Sequence, residues 1–415
     1  MLNSKGEREL CYVVRVDDIM PIEGAENVEL AAVGGWRIMV RKNQFHPGDP
    51  AIYFEIDSKV PETEVFAFLA PKHYKIKTQK YFKGTVISQG LLMHAEDFGW
   101  EIYTEPISTG IEQEFQSTTC IKDDEGIKHF VDRESRFLTQ KLGVTYAEAG
   151  DNTRKAAAAD KYKLMAGRHG KLFSHQPYCW LMKREWGKKL LFLFYGKKRD
   201  KKTSWPSWVA KTDEERIQNM PWILKDDGKW IATEKIDGTS TTFTMKRKGR
   251  KKIFLVCSRN VVFDKPDKKC FYETNVYTEM AEKYNIEQIL SAMLDKFPEA
   301  EWITIQGETY GAGIQKRDYS ISDHQFMAFN LIMSHLGRLG TIDMRNELQF
   351  IWGIPCVPIV ESNIYLPETV EETLECAEGN SLVDGKPREG IVFRSMDGSK
   401  SFKAVSNSYL MKYHG

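Results

Sequence analysis

Ala232-Thr-Glu-Lys-Ile-Asp-Gly-Thr239 is the stretch from which the rest of the sequence is best interpreted, because it groups a lysine, a carboxylate and a glycine. A lysine attacks the α-phosphorus of a nucleotide only when its amine is unprotonated, and burial, cationic neighbours or a divalent metal lower its pKa. Asp237 suits a ribose hydroxyl or a metal-bound water, and Gly238 permits a tight backbone turn beside a nucleotide. Alone, the stretch predicts only a hairpin turn, so its interpretation depends on other residues.

Two glutamates favour the chemical interpretation of this stretch. Glu308, in Ile305-Gln-Gly-Glu-Thr-Tyr-Gly311, is predicted to end an apolar strand, and Glu389, in Arg388-Glu-Gly-Ile-Val-Phe-Arg394, is predicted to begin one. Carboxylates at strand ends beside glycines can orient a hydrated magnesium ion. Each glutamate alone is more typical of an exposed sheet edge, but their occurrence together with Lys235 indicates a metal-assisted nucleotide site. Oxygen ligands accept Mg²⁺ or Mn²⁺, and the choice stays open.

Three further residues could complete such a site. Lys403, in Ser401-Phe-Lys-Ala-Val405, would act as a point charge on a phosphate and depress the pKa of a neighbouring lysine. Phe329 could stack on a purine, although an aromatic residue in a strand more often belongs to the core. Ile391 and Val392 lie on alternate faces of a predicted strand, so one of the two could cover the other face of the base.

Composition sets the limits of the interpretation. The chain has 415 residues, enough for two or three domains, and its formal net charge of +1 gives no global field that attracts a polyanion. The seven cysteines form neither a Cys-x-x-Cys pair nor a zinc-spaced cluster, and they are predicted to be reduced thiols. There is no signal-like N-terminus and no run approaching about 20 apolar residues. We expect a cytoplasmic, monomeric protein without a membrane partner.

Short strands dominate the N-terminal part, at residues 11–16, 31–33, 36–40 and 51–56, and turns such as Pro47-Gly-Asp49 separate them. This pattern predicts a small barrel or sandwich. Residues 132–142 and 153–160 favour helix. The run 183–202 has basic ends around an apolar core, and the sequence leaves open whether it is a solvated element or a surface for a phosphate backbone.

The C-terminal part follows an α+β plan. An antiparallel meander is predicted for 230–234, 239–245 and 253–258, and one helix is predicted for 275–297. A second helix is predicted around 344–350. Further strands are predicted at 301–305, 325–332 and 390–394.

Six segments follow one another in this part, namely Lys235-Ile-Asp-Gly238, Ser258-Arg-Asn260, Gln306-Gly-Glu308, Phe326-Met-Ala-Phe-Asn330, Glu389-Gly-Ile-Val392 and Ser401-Phe-Lys403. Together they resemble the signature of the covalent nucleotidyl transferase superfamily of ligases and capping enzymes. Lys77-Thr-Gln-Lys with Ile87-Ser-Gln-Gly-Leu91, and the run 211–219, add a more specific similarity. With them, the chain is most similar to ATP-dependent RNA ligases with an N-terminal OB domain, the type described from a Naegleria protist.

The resemblance implies a fold and a domain plan. The expected fold class is α+β, with an N-terminal OB-type β-barrel followed by an antiparallel-sheet, ATP-grasp-like nucleotidyltransferase domain. The expected domains are an OB fold at 1–120, a helical linker with a basic insertion at 121–205, and the adenylation domain at 206–415. Only twelve residues follow Lys403, so the C-terminal OB domain of DNA ligases and capping enzymes is not expected.

The resemblance also implies a role for each site residue. Lys235 would form the lysyl-adenylate, and Lys403 would contact the phosphates. Many relatives have a Lys-x-Lys pair in the last segment, whereas this chain has Ser401 in the first place, so the second cation would come from Lys400 or Lys412 or be missing. The other implied contacts are Glu234 with the adenine amino group, Arg259 and Asn260 with the nucleotide or the RNA 5′-phosphate, Phe329 and Val392 with the base, Asp237 and Gly238 with the nucleotide, and Asp237, Glu308 and Glu389 with the metal.

The implied function is joining of RNA 3′-OH and 5′-phosphate ends in RNA repair, with ATP, a lysyl-AMP intermediate and Mg²⁺ or Mn²⁺. The RNA could be a nicked duplex, and a phage-encoded enzyme would act in the host cytoplasm. Three alternatives stay open: a GTP-using capping enzyme, a DNA ligase, and an RNA-binding protein with an inactive transferase domain. The last is suggested by Ile19-Met-Pro-Ile-Glu-Gly-Ala-Glu-Asn-Val-Glu-Leu30, which is similar to tRNA-binding OB modules.

Overall fold

The structure is a computed structural model that describes residues 8–107, 116–131, 137–146, 175–182, 184–195, 205–263, 274–317 and 319–413. Two units can be distinguished: residues 1–145 and 205–415 form the first, and residues 146–204 form the second. The predicted helix at 153–160 lies outside the described residues.

Nine short strands make up the beginning of the first unit, and the four predicted there are confirmed. The strands are β1 (Cys11–Arg15), β2 (Asp18–Pro21), β3 (Val28–Val33), β4 (Trp36–Arg41), β5 (Pro50–Phe54), β6 (Ser58–Lys59), β7 (Gln79–Tyr81), β8 (Val86–Ser88) and β9 (Leu91–Met93). Eight of them form antiparallel sheets in the orders β1-β5-β9, β2-β3-β4 and β7-β8, whereas β6 pairs with a later strand at Thr145–Tyr146. Alternation explains β4, because Trp36, Ile38 and Val40 are buried between exposed or half-buried neighbours.

A second group of elements extends this N-terminal part. Strands β10 (Glu101–Ile107), β11 (Gln116–Lys122) and β12 (Lys128–Phe130) form an antiparallel sheet, and helix α1 (Phe137–Lys141) lies within the helix predicted at 132–142. Their core contains Phe54, Phe66 and Trp100. Three 3₁₀ helices connect the strands, at Glu64–Lys72, Phe82–Gly84 and Ala95–Phe98, and a short strand β13 follows at Thr145–Tyr146.

Two helices are described in the second unit. Helices α2 (Gln176–Met182) and α3 (Glu185–Tyr195) are joined at Arg184, whose guanidinium lies 3.8 Å from the ring of Trp180. The apolar centre of the basic run 183–202 is therefore a helix.

Two antiparallel sheets form the C-terminal part. Their strands are β14 (Trp230–Glu234), β15 (Thr239–Lys248), β16 (Lys251–Ser258), β17 (Val262–Phe263), β18 (Trp302–Gly311), β19 (His324–Met333), β20 (Gly337–Arg338), β21 (Ile359–Ile364), β22 (Gly390–Ser395) and β23 (Ser401–Val405). The strand orders are β17-β16-β15-β18-β19-β20 and β21-β14-β22-β23.

The predicted meander is wrong in one respect, because β14 pairs with β21 and β22 and not with β15. The backbone N–H of Lys235 donates to Gly390 O, so the chain leaves β14 toward the other sheet without a hairpin.

The helix predicted at 275–297 is two helices, α4 (Val276–Lys283) and α5 (Ile286–Lys296). Asn285 separates them with a φ of 50°, a left-handed conformation that asparagine tolerates better than most residues. Both helices pack on the six-stranded sheet, where Met280, Leu290 and Met293 share a core with Phe243 of β15.

Helix α6 (Thr341–Arg345) continues into a π-helical turn at Asn346–Ile351 and overlaps the predicted helix at 344–350. The four-stranded sheet has its own core, in which Trp230, Phe393 and Phe402 pack against helix α7 (Val370–Ala377). Short 3₁₀ turns at Ile217–Asn219 and Pro221–Lys225 and the final helix α8 (Asn407–Tyr413) complete the unit.

The N-terminal strands pack directly on the four-stranded sheet within the first unit. Gly35 lies against Val370 of α7, where a Cβ atom would collide with the valine side chain. Ile87 of β8 packs with Leu410 of α8, and Lys80 donates a 2.7 Å hydrogen bond to Met411 O. The last helix of the chain is thus held by the N-terminal part.

Candidate functional site

A cavity of about 360 Å³ lies between the two C-terminal sheets, where the chain passes from β14 to β15. Its lining draws on both sheets and on the segment that precedes β14. Ten of the eleven predicted site residues line it: Glu234, Lys235, Asp237, Gly238, Arg259, Glu308, Phe329, Glu389, Val392 and Lys403. Asn260 is the one that does not.

Lys235 and Glu389 form an ion pair in this cavity. Nζ of Lys235 lies 2.7 Å from Oε1 of Glu389, and a quarter of the lysine side chain is exposed. Burial alone would lower the pKa of Lys235, but the carboxylates of Glu389, Glu308 and Asp237 together raise it above its usual value. The expectation of a lowered pKa for Lys235 is therefore wrong, because the three carboxylates outweigh the effect of burial.

Two buried tyrosines hold the backbone and side chain of Asp237. Its N–H donates to the Tyr319 hydroxyl at 2.7 Å, and the Tyr409 hydroxyl donates to its Oδ2. Burial raises the pKa of both tyrosines, so their hydroxyls stay protonated. Next to them, Gly238 lies so close to Thr309 O that no side chain fits there.

Glu308 lies inside β18, not at its end as predicted, because the strand continues to Gly311. Burial raises its pKa to about 8; the positive charge of Lys235 opposes this shift, and the nearby carboxylates of Glu389 and Asp237 add to it. A cation bound nearby would lower this raised pKa, so the carboxyl group would lose its proton when a metal ion binds.

The same cavity contains an unsatisfied acceptor. Oε2 of Glu389 is buried and has no hydrogen-bond partner, and such a group is costly unless a ligand or water binds it. Among the described residues, no three His, Cys, Asp or Glu side chains form a direct ligand set. The acidic groups therefore fit a hydrated divalent ion that takes its remaining ligands from water and phosphate.

Lys403 lies opposite Val392 in the four-stranded sheet. Burial lowers its pKa to about 8, and the positive charges of Lys235 and Arg216 add to this effect. Neither proposed source of a second cation lines the cavity, since Lys400 pairs with Asp226 and Lys412 lies on α8.

The base-binding candidates occupy the other end of the lining. Val392 lines the cavity whereas Ile391 belongs to the core, which decides between the two alternatives. Phe329 is half-buried and also lines the cavity. The Glu234 carboxylate is already bound, because it accepts hydrogen bonds from the Ser381 hydroxyl and from the Leu382 N–H at 2.8 Å.

The side chains of the neighbouring residues Arg259 and Asn260 bind different residues, and only that of Arg259 lines the cavity. Arg259 lines the cavity and forms a 2.6 Å ion pair with Asp213. Asn260 accepts a 2.9 Å hydrogen bond from Lys211, outside the lining.

Sequence reasoning missed a charged cluster at the cavity wall. Glu214 accepts hydrogen bonds from Ser401 at 2.6 Å, Arg394 at 3.2 Å and Arg338 at 3.5 Å. Arg394 is buried and lines the cavity, and its Nε and Nη1 have no hydrogen-bond partner. Strand alternation from Val392 would have placed Arg394 on the cavity face, whereas no local pattern marks Glu214.

Comparison with known proteins agrees with this architecture. Residues 228–414 match the RNA ligase family, and residues 10–95 match an OB-fold domain family. The C-terminal part of the chain is thus a domain of the RNA ligase family, preceded by an OB-fold domain, and the α+β fold class is confirmed. No curated protein sequence matches the chain.

Solved structures of the RNA ligase from Naegleria gruberi share the fold. A mutant with AMP and Mn is 23% identical, with a TM-score of 0.62, and 98% of this chain and 99% of that one are covered. A mutant with ATP and Mn gives the same values. The enzyme with PPi is 24% identical, with a TM-score of 0.61 and the same coverage.

None of the described helices combines the length and the apolar character needed to cross a membrane.

Proposed function

We propose that this protein is an ATP-dependent RNA ligase that joins 3′-OH and 5′-phosphate ends through a lysyl-AMP intermediate on Lys235. One observation supports this most strongly: Lys235, Glu308, Glu389 and Lys403 come from distant parts of the chain and line one cavity, in which Lys235 forms an ion pair with Glu389. The Naegleria structures with ATP, AMP and PPi support the choice of nucleotide.

The proposed first step is attack of Lys235 Nζ on the α-phosphorus of ATP. The protonated Lys235 first loses one proton to water. A phosphorus–nitrogen bond then forms, the bond to pyrophosphate breaks, and the second proton of the attacking amine leaves to water. Glu389, 2.7 Å from Nζ, orients the amine. Asp237, Glu308 and Glu389 would hold Mg²⁺ or Mn²⁺ through its water shell, and the ion would neutralise phosphate charge.

The remaining residues would position the nucleotide and the RNA. Phe329 and Val392 would cover the two faces of the adenine, and Lys403 would contact the phosphates. Arg259 would bind the nucleotide or the RNA 5′-phosphate. We also propose that Glu234 binds the adenine amino group. Its carboxylate accepts hydrogen bonds from Ser381 and Leu382, so at least one of these two bonds must break when adenine binds.

In the later steps an RNA 5′-phosphate oxygen attacks the AMP phosphorus, which releases Lys235 and leaves an RNA-adenylate. The 3′-OH then attacks the RNA phosphorus and AMP departs. We place the OB domain at 1–120, the linker with the basic insertion at 121–205 and the adenylation domain at 206–415. A monomeric cytoplasmic enzyme of RNA repair, acting on nicked duplexes, is part of the same proposal.

Incubation of the protein with a divalent metal and α-labelled ATP or GTP, without RNA, tests the first step. We expect acid-stable label from ATP only, absent in Lys235→Ala and retained in Lys225→Ala, a change at an exposed lysine outside the cavity. Label from GTP would favour a capping enzyme. No label from either nucleotide in a folded protein would leave the RNA-binding alternative.

A further inference from the structure

The hairpin between β15 and β16 has an unusual charge. Its sequence, Lys246-Arg-Lys-Gly-Arg-Lys-Lys252, contains six cationic residues in seven, in a chain whose formal net charge is only +1. We call residues 246–252 the basic hairpin.

Structural roles account for two of the six cations. Arg247 donates to Ala300 O at 3.1 Å and to Leu294 O, and Lys252 donates to Ser291 O at 2.8 Å and pairs with Asp295 at 2.7 Å. Both side chains lie on the face of the sheet that helix α5 covers, and they bind the C-terminal end of that helix.

Three other cations have no such role. Lys248, Arg250 and Lys251 are exposed, and in the part of the chain that the structure describes no carboxylate forms an ion pair with them. Lys248 lies directly opposite Lys251 across the hairpin. Because like charges in this position destabilise a hairpin, the arrangement is unfavourable until an anion binds.

The basic hairpin is connected to the cavity along one face of β15. Ser240, Thr244, Lys246 and Lys248 alternate onto the face opposite α4 and α5, and residues 205–212 run along it. The Trp208 indole N–H donates to Thr244 at 3.1 Å, and the hydroxyls of Thr212 and Ser240 are 2.7 Å apart.

Aromatic and cationic side chains alternate along this path. Nζ of Lys246 lies 4.7 Å from the Trp208 ring, and Nζ of Lys211 lies 6.0 Å from the Trp205 ring. Both tryptophans are half-buried, and Arg259 follows at the cavity itself. Cations together with aromatic rings are the combination that binds a nucleic-acid backbone and its bases.

We infer that the basic hairpin binds the phosphate backbone of the RNA whose end is joined at Lys235. This inference rests on the proposed function and adds a surface to it. The ten residues of β15 extend over about 33 Å, so the RNA would be held about ten base pairs from the reacting end.

The test uses the full chain with Lys248→Glu and Lys251→Glu together. The matched control reverses two exposed lysines of the same domain outside the cavity, Lys225→Glu and Lys386→Glu. Each protein is given nicked RNA duplexes with arms of about 20 or about 5 base pairs, and sealing, RNA affinity at several salt concentrations, thermal midpoint and labelling by ATP alone are measured.

We expect the hairpin variant to bind the long-arm duplex about tenfold more weakly or worse, with the slope of log K against log salt reduced by about two. Short-arm sealing, labelling by ATP and the thermal midpoint should equal those of the control. Unchanged affinity and salt slope for the long duplex would overturn the inference. So would an equal loss with both arm lengths, or a loss of labelling without RNA. If the wild type itself fails to label or seal, the proposed function has failed instead.

Discussion

Nζ of Lys235 lies 2.7 Å from Oε1 of Glu389, although the two residues are 154 positions apart in the sequence. The pair joins the end of β14 to the start of β22, which are neighbours in the four-stranded sheet. The Glu389 charge also raises the pKa of Lys235, so the amine that we propose as the nucleophile must lose a proton before it attacks.

Removal of the Glu389 charge should change how adenylation depends on pH. The rate should rise with pH as Lys235 loses its proton, because only the neutral amine attacks. In Glu389→Gln, one charge that raises the lysine pKa is gone, so the rising limb should move to lower pH while the maximal rate falls at least about tenfold. The measurement is the initial rate of label incorporation from pH 6 to 10. A limb at the same pH as in the wild type would contradict the role of Glu389.

Glu308 should make stability depend on pH in metal-free buffer. Its pKa is about 8 in the folded protein and about 4.3 when unfolded, so between these values the folded state binds more protons and stability falls as pH rises. Glu308→Gln removes this effect. We therefore expect the thermal midpoint of the variant minus that of the wild type to be about 2–4 °C larger at pH 9 than at pH 5. Thermal unfolding followed at both pH values, with EDTA present, checks this. A midpoint difference that is the same at both would be inconsistent with a raised pKa.

Tyr409→Phe should slow adenylation by roughly ten- to a hundredfold, because it removes a hydrogen bond to the charged acceptor Asp237. Tyr413→Phe is the matched control on the same helix, since its ring lies 4.7 Å from that of Tyr409 but its hydroxyl has no described partner at the site. The rate of labelling at saturating ATP distinguishes positioning of Asp237 from weaker nucleotide binding. Equal rates for both variants would show that the tyrosine hydroxyl is not needed.

Arg394 should contribute to nucleotide binding, whereas Arg338 should not. Both donate to Glu214, but only Arg394 lines the cavity with unsatisfied nitrogen donors that a bound nucleotide could satisfy. Arg394→Gln should raise the KM for ATP by about tenfold, and Arg338→Gln by less than about twofold. Titration of ATP in the labelling assay gives both values. Equal effects would mean that the arginines act only by holding Glu214.

Much of this fold could be predicted because its signals are local. Alternation and turn residues located the strands. Charged residues beside glycines, strand alternation and the resemblance to a ligase family together located ten residues of the cavity. The pairing of β14 was not predictable in this way, since Thr233 pairs with Val392, 159 positions later. The position of Asn260 was not predictable either, because its side chain binds Lys211, 49 positions earlier.

The electrostatics of the site were the least predictable property. A buried lysine beside cations should have a low pKa, and Lys403 does, because it is buried and because Lys235 and Arg216 are its neighbours. Lys235 itself has three carboxylates nearby, and these reverse the sign of the shift. Which charges surround a buried lysine is decided by strand pairing, and a linear motif does not contain that information.

The bond between Tyr409 and Asp237 has a consequence for the timing of synthesis. The two residues are 172 positions apart, so a ribosome finishes the lysine motif long before it makes the tyrosine that fixes the adjacent carboxylate. A nascent chain that ends between β23 and α8 contains Lys403 but not Tyr409, so its Asp237 carboxylate lacks that hydrogen bond. On the proposed function, a chain whose synthesis stops before Tyr409 lacks the hydroxyl that binds Asp237, so we expect it to load nucleotide more slowly than the chain that contains it.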